Sequence, residues 1–173
     1  MKHTLRLQLA ACALAVALMA PALNAQSAGI QAAYGKDAAT LSDKFTGMAR
    51  VMAGKYDWKP GTGVRSAGDV LNLIAMENGM LTGVLTGAAP AGGRPAPITD
   101  PEKLQEALKT SYTNLQKAIT GLSDADLATP VKLFGRDMTK QGAIMMLMAD
   151  QHEHLGQLIA YARSNAVVPP WSK

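Results

Sequence analysis

Residues 139–164 read TKQGAIMMLMADQHEHLGQLIAYARS. Within them Ile144, Leu147, Gln151, Leu155, Leu158 and Ala162 recur three or four positions apart. That interval places side chains on one face of an α-helix of about 3.6 residues per turn, so the segment is expected to be a helix from about Thr139 to Ser164.

Working back along the chain, the same pattern returns between recognisable start and stop signals. A helix from Asp100 carries Leu104, Leu108, Leu115 and Ile119 on one face, with Pro101 in its first turn, where a missing N–H costs nothing, and Gly121 as its stop. Ser123 to Leu127 reads as one short turn. An earlier helix starts near Ser66, whose hydroxyl can cap it while Asp69 reaches back, and its stripe is Val70, Ile74, Glu77, Leu81 and Val84. The first, about Asp37 to Gly54, has Leu41, Phe45, Met48 and Met52 on one face. Lys59-Pro60-Gly61-Thr62-Gly63 is turn-rich, and Gly87 to Pro97 is a loop of Gly, Ala and Pro suited to a crossover. Nothing reads as a strand. Four amphipathic helices with few breaks predict an all-α four-helix bundle. The methionines fall largely on stripe positions and read as core filling.

Residues 1–25 read as an export signal. Lys2 and Arg6 make a positive start, Leu7 to Leu23 is almost wholly apolar, and Ala25 is the last small residue before cleavage. Pro21 interrupts a run already short for a membrane anchor. Leu9-Ala10-Ala11-Cys12 resembles a lipoprotein acylation box but comes too early in the apolar run to leave a normal signal. Cleavage after Ala25 leaves residues 26–173 as the domain, in the periplasm or outside the cell, without a membrane anchor.

The chain has 173 residues, enough for one core without disulfide or metal staples. Its one cysteine, Cys12, leaves with the signal, so the mature domain has no thiol nucleophile, disulfide or cysteine ligand. Losing Lys2 and Arg6 leaves 15 basic against 13 acidic side chains, a net charge of +2. So small a balance gives no nucleic-acid-binding surface. No Ser/His/Asp order or phosphate-cradling glycine loop stands out. Arg163 is placed to meet the last helix's terminal carbonyls, and Tyr56, Trp58 and Trp171, near prolines, to pin loops onto a bundle end.

Both mature histidines lie in Asp150-Gln151-His152-Glu153-His154. Helical neighbours four apart differ by about 40° around the axis and neighbours two apart by about 200°. Asp150 and His154 can therefore address one ion, while His152 faces solvent. Glu77 interrupts an apolar stripe on a facing helix, and a carboxylate turned to a core needs a cation, a proton or a donor. Carboxylates and imidazoles from facing helices are how bundles build metal sites. A buried Glu with a His partner can equally be structural.

Tyr56-Asp57-Trp58-Lys59-Pro60, Gly63-Val64-Arg65-Ser66 and the closing His154-Leu155-Gly156-Gln157-Leu158-Ile159-Ala160-Tyr161-Ala162-Arg163 with Pro169-Pro170 resemble the DinB (damage-inducible) family. The resemblance covers nearly all of residues 26–173. It implies an up-up-down-down bundle, frequent homodimers and often a divalent metal held by three histidines. Some relatives are thiol-dependent transferases or isomerases, many have no assigned reaction, and DNA binding is not implied. The pattern's first ligand histidine aligns with Leu73, its second with Asp150, and only the third is kept, as His154. Two readings follow. In one, an envelope protein has lost its metal site and works as a small-molecule-binding or interaction module. In the other, Glu77, one turn beyond Leu73, joins Asp150 and His154 in a remodelled site for Zn, Ni, Mn or Fe, serving a metal-dependent hydrolase or transferase.

Overall fold

In the computed structural model, which describes residues 29–88 and 95–172, four long helices surround one core. Residues 1–25, read from the sequence as an export signal, and most of the Gly/Ala/Pro loop lie outside the described residues. Helix α1 spans residues 29–51, α2 Ala67–Thr86, α3 Pro101–Thr120, α4 Asp124–Leu127 and α5 Lys140–Ser164. The caps explain the boundaries. Ser66 and Asp69 form a reciprocal capping box at α2, which ends at Gly87 with φ 73°. Asp100 accepts the Lys103 N–H at 2.9 Å and Pro101 opens α3. Ser123 and Asp126 repeat the capping box at α4, and the Thr139 hydroxyl accepts the Gly142 N–H at 3.1 Å to start α5.

The stripes meet in the centre. Leu41, Phe45 and Met48 of α1, Val70, Ile74 and Leu81 of α2, Leu104, Leu108 and Leu115 of α3, and Ile144, Leu147, Leu155 and Leu158 of α5 are all buried. Phe45 stacks on Tyr112, ring centroids 6.0 Å apart. The core also holds a closed polar chain. Tyr112 Oη donates to Gln151 Oε1 (2.8 Å), Gln151 Nε2 to Asn78 Oδ1 (2.6 Å), Asn78 Nδ2 to Ser111 Oγ (3.1 Å), and Ser111 Oγ to the Leu108 carbonyl (2.8 Å). It ties α3, α5 and α2 together with each buried donor partnered, as burial demands. Among the described residues no helix is long and apolar enough to cross a membrane.

Two elements differ from the sequence expectation. Helix α1 begins at residue 29, ahead of Asp37; its first turns are held by Gln31, whose Nε2 donates to the Leu122 carbonyl and to Asp124 Oδ1, both at 3.1 Å. And the stretch before α5, expected to hold no strand, is a hairpin: β1 Pro130–Leu133 pairs antiparallel with β2 Arg136–Thr139, Leu133 opposite Arg136. Its two-residue turn is Phe134-Gly135 with φ 50° and 75°, the backbone sign that a tight hairpin requires. Four-residue strands with one fully buried side chain, Leu133, are too short to display a period. The hairpin runs directly into α5, so its tip is carried by the helix that bears Asp150 and His154.

Candidate metal centre

Glu77 lies mid-α2, on the stripe whose apolar members fill the core. Its residue is only 5% exposed, and its Oε2 has no hydrogen-bond partner. Across from it α5 presents Asp150 and, one turn on, His154. One ligand atom from each of the three lies within 4.8 Å of the others. Among the described residues this is the one place where three His, Cys, Asp or Glu side chains converge in this way. The sequence grouping of Glu77 with Asp150 and His154 is thus what the fold brings together.

Burial dominates the chemistry of Glu77. Loss of solvation, then the neighbouring Asp150 charge, push its carboxyl up to about 7, with Arg65 pulling the other way. The closeness of Asp150 therefore favours the protonated form of Glu77. Two carboxyls so close cannot both ionise without a compensating cation, which either a proton or a metal supplies.

His154 is held from behind. Its Nδ1 lies 3.0 Å from Gln157 Oε1, Gln157 Nε2 donates to Tyr161 Oη at 2.8 Å, and Tyr161 Oη donates to the Arg65 carbonyl at 3.2 Å. A backbone carbonyl only accepts, so the direction of the whole chain is fixed: Tyr161 must donate, Gln157 must turn its nitrogen to Tyr161 and its oxygen to His154, and Nδ1 must carry the proton. In the neutral ring the Nε2 lone pair is then free. It lies 3.5 Å from Asp150 Oδ2. An imidazole oriented by a partner on its other nitrogen is the usual support of a metal-ligating histidine. Trp58 packs edge-on against Tyr161, centroids 5.2 Å apart. The expectation that Trp58 and Tyr56 pin a loop onto the bundle end holds: Tyr56 Oη donates to the Ala49 carbonyl at 2.7 Å.

Leu73, in the position of the resemblance's first ligand, is buried and 7% exposed, so no third histidine completes the site. His152 points away, as expected, and its Nε2 lies 3.0 Å from Asp37 Oδ2 on α1. Two residues absent from the sequence reading line the same space. Glu77 and Asp150 open onto a cavity of about 290 Å³ whose other walls are Met146, Leu147 and, from the hairpin, Phe134 and Arg136. Their role was hidden because the hairpin was. Gln157 was visible in the sequence three positions after His154, a spacing at which helical side chains meet. Larger grooves run between α1 and α3 and beside α4, about 480 and 570 Å³, but they gather no comparable ligand group.

Comparison with known proteins agrees with the architecture. The family model described as the DinB superfamily matches residues 43–158, well over half of the chain. The chain belongs to the DinB superfamily. Among solved structures it is similar to a DinB-like protein of Bacillus subtilis, with 18% identity, a TM-score of 0.64 and coverage of 77% of this chain and 91% of the other. A DinB-like protein of Bacillus cereus gives 20% identity with the same TM-score and coverage. At these identities the likeness speaks to the fold. No curated protein matches the chain.

Proposed function

We propose that this DinB protein binds a divalent cation at Glu77, Asp150 and His154 and presents it to a small molecule in the adjoining cavity. The observation that carries this reading is the buried, unpartnered Glu77 Oε2, facing a carboxylate and an imidazole whose ligand atoms lie within 4.8 Å. Such an atom costs free energy unless something pairs with it. Bonds of about 2.0–2.2 Å to a metal set neighbouring ligand atoms roughly 3–4 Å apart, so the observed spacing closes by side-chain rotation.

The donor set fits the group. Two carboxylates and one neutral imidazole carry two negative charges, matching a divalent cation, and oxygen-rich ligation suits Mn, Fe or Zn. When bound, the metal supplies Lewis acidity for a water or a substrate oxygen. The chain's own residues do the rest. Gln157 and Tyr161 hold His154 in the ligating tautomer, the Asn78–Gln151 bond fixes α2 against α5, and Phe134, Met146 and Leu147 give the cavity its apolar walls.

A retained metal-free role is favoured by one feature, the raised Glu77 carboxyl, which a proton can neutralise in place of a metal. Elemental analysis of the purified mature protein separates the two. Near-stoichiometric Mn, Fe, Ni or Zn in the wild type, lost in His154→Ala and Glu77→Gln, is the expected result. Wild-type protein that holds no metal after dialysis against each ion overturns the metal reading in favour of a binding module. The reading further places the protein in the bacterial envelope, on the strength of residues 1–25. Mass spectrometry of the secreted or periplasmic form should find Gln26 at its N-terminus.

A further inference from the structure

The hairpin tip has two features that the bundle does not need. Phe134 holds φ at 50°, a conformation that Gly or Asn adopts freely and a bulky aromatic does not, and the residue is left 54% exposed. A strained, uncovered aromatic persists where something other than packing selects it. Arg136 is exposed, and among the described residues no carboxylate lies within ion-pair distance of it. The cation that acts on Glu77 is instead Arg65. Arg136 therefore has no assigned counter-charge, yet it lines the cavity that holds Glu77 and Asp150.

Charge balance says what is missing. A divalent cation on Glu77, Asp150 and neutral His154 makes a centre of zero net charge, so Arg136 is left as one uncompensated positive charge at the cavity. A ligand that carries a single negative group there neutralises it. The remaining walls, Phe134, Met146 and Leu147, are apolar, and about 290 Å³ is at the small end of pockets for organic molecules. The anchoring is rigid: Leu133, opposite Arg136 in the register, is 1% exposed in the core, and β2 leads into the Thr139 cap of α5.

We propose that Arg136 and Phe134 are the ligand-recognition residues of this site, selecting a small organic carboxylate whose anionic group pairs with the guanidinium and whose apolar body packs on the Phe134 ring. A guanidinium matches a carboxylate in bidentate fashion, which a lysine cannot do. The proposal deepens the metal reading of the same site and rests on it for what the rest of the ligand meets.

The test uses phenylacetate, with neutral phenylacetamide as its comparison, and the mature protein with and without Mn²⁺. Saturation-transfer NMR reads probe binding in the protein loaded with diamagnetic Zn²⁺ and in the metal-free protein, and paramagnetic relaxation of the probe's protons reads its approach to bound Mn²⁺. Phenylacetate should bind saturably and about tenfold or more tighter than the amide. Arg136→Gln should bring phenylacetate down to the affinity of the amide, with Mn²⁺ affinity unchanged. Phe134→Asn, which suits the turn better, should weaken both probes while leaving the fold at least as stable. Equal binding of acid and amide, no saturable phenylacetate binding, or full affinity in Arg136→Gln overturns the proposal. Loss of Mn²⁺ binding with the acid preference intact sinks the metal reading alone and leaves the carboxylate assignment standing.

Discussion

Gln151 donates to Asn78 across 2.6 Å, and each of these residues directly follows a carboxylate of the candidate centre, Asp150 on α5 and Glu77 on α2. The bond sets the distance between the two helices at the point where the carboxylates face each other. Gln151 also accepts from Tyr112, so Gln151→Leu would strand a buried hydroxyl and a buried amide. A loss of about 2–4 kcal/mol in urea unfolding is expected. In addition, metal affinity should fall, because the carboxylates are no longer held in register. A variant as stable as the wild type would show that the chain is not needed for the core.

Burial of Glu77 makes a signed prediction about pH. Its folded value of about 7 lies above the 4.5 of an exposed glutamate. Between these values the folded protein holds a proton that the unfolded chain has released, so stability falls as pH rises. The contribution is fully present below about 4.5 and gone above about 7, a change on the order of 2–3 kcal/mol. Unfolding of the metal-free protein across this window should show the slope, and Glu77→Gln should flatten it. Saturating Mn²⁺ should reverse it, since the ion takes the ionised carboxylate. A wild type and a Glu77→Gln variant with parallel pH profiles would remove Glu77 from the account.

The support behind His154 gives a separate test. Gln157→Leu removes the acceptor that keeps the proton on Nδ1 and frees the ring to adopt the other tautomer. Loss of such a partner typically costs 10–100-fold in metal affinity. Tyr161→Phe removes only the next link, so its effect should be smaller and in the same direction. Competition with a chromophoric chelator would rank the three proteins. Unchanged affinity in Gln157→Leu would leave the hydrogen-bonded chain as a purely structural feature of the α5 end.

How much of this was legible in the sequence depends on what signals a residue emits. The stripes of the helices and the caps at Ser66 and Asp100 were readable because each rests on spacing or on a side chain acting within a few residues, whereas the caps at Ser123 and Thr139 went unread. Glu77 was readable as a charge within an apolar stripe. Tyr112 was overlooked, although Leu108 and Leu115 leave position 112 on their own face. The hairpin emitted almost nothing: strands of four residues with a Phe-Gly turn lack the usual Asn-Gly signature, and its partner strand is fixed by tertiary packing of Leu133. With it went Phe134 and Arg136, so the floor of the site was found and its wall was not. The α1 start was silent for a related reason. Half of residues 29–36 are Gly or Ala, and their helix is held by the Gln31 contacts to residues 122 and 124, more than ninety positions away.

Leu73 allows the lost ligand to be put back. It is buried one turn before Glu77 on α2, and Leu73→His would place a second imidazole on the helix that faces His154. Without metal the variant should be less stable by about 1–3 kcal/mol, since a polar ring enters a site built for an aliphatic one. Zinc or nickel should restore that stability, because a site gaining nitrogen donors shifts away from manganese. The expected signature is a rise in the ratio of Zn to Mn affinity, measured by chelator competition, together with a metal-dependent gain in melting temperature larger than that of the wild type. If Leu73→His is destabilised and no metal recovers it, position 73 does not address the same point in space as Glu77, Asp150 and His154. The remodelled site would then have moved along α2 with its carboxylate, and not merely exchanged one ligand for another.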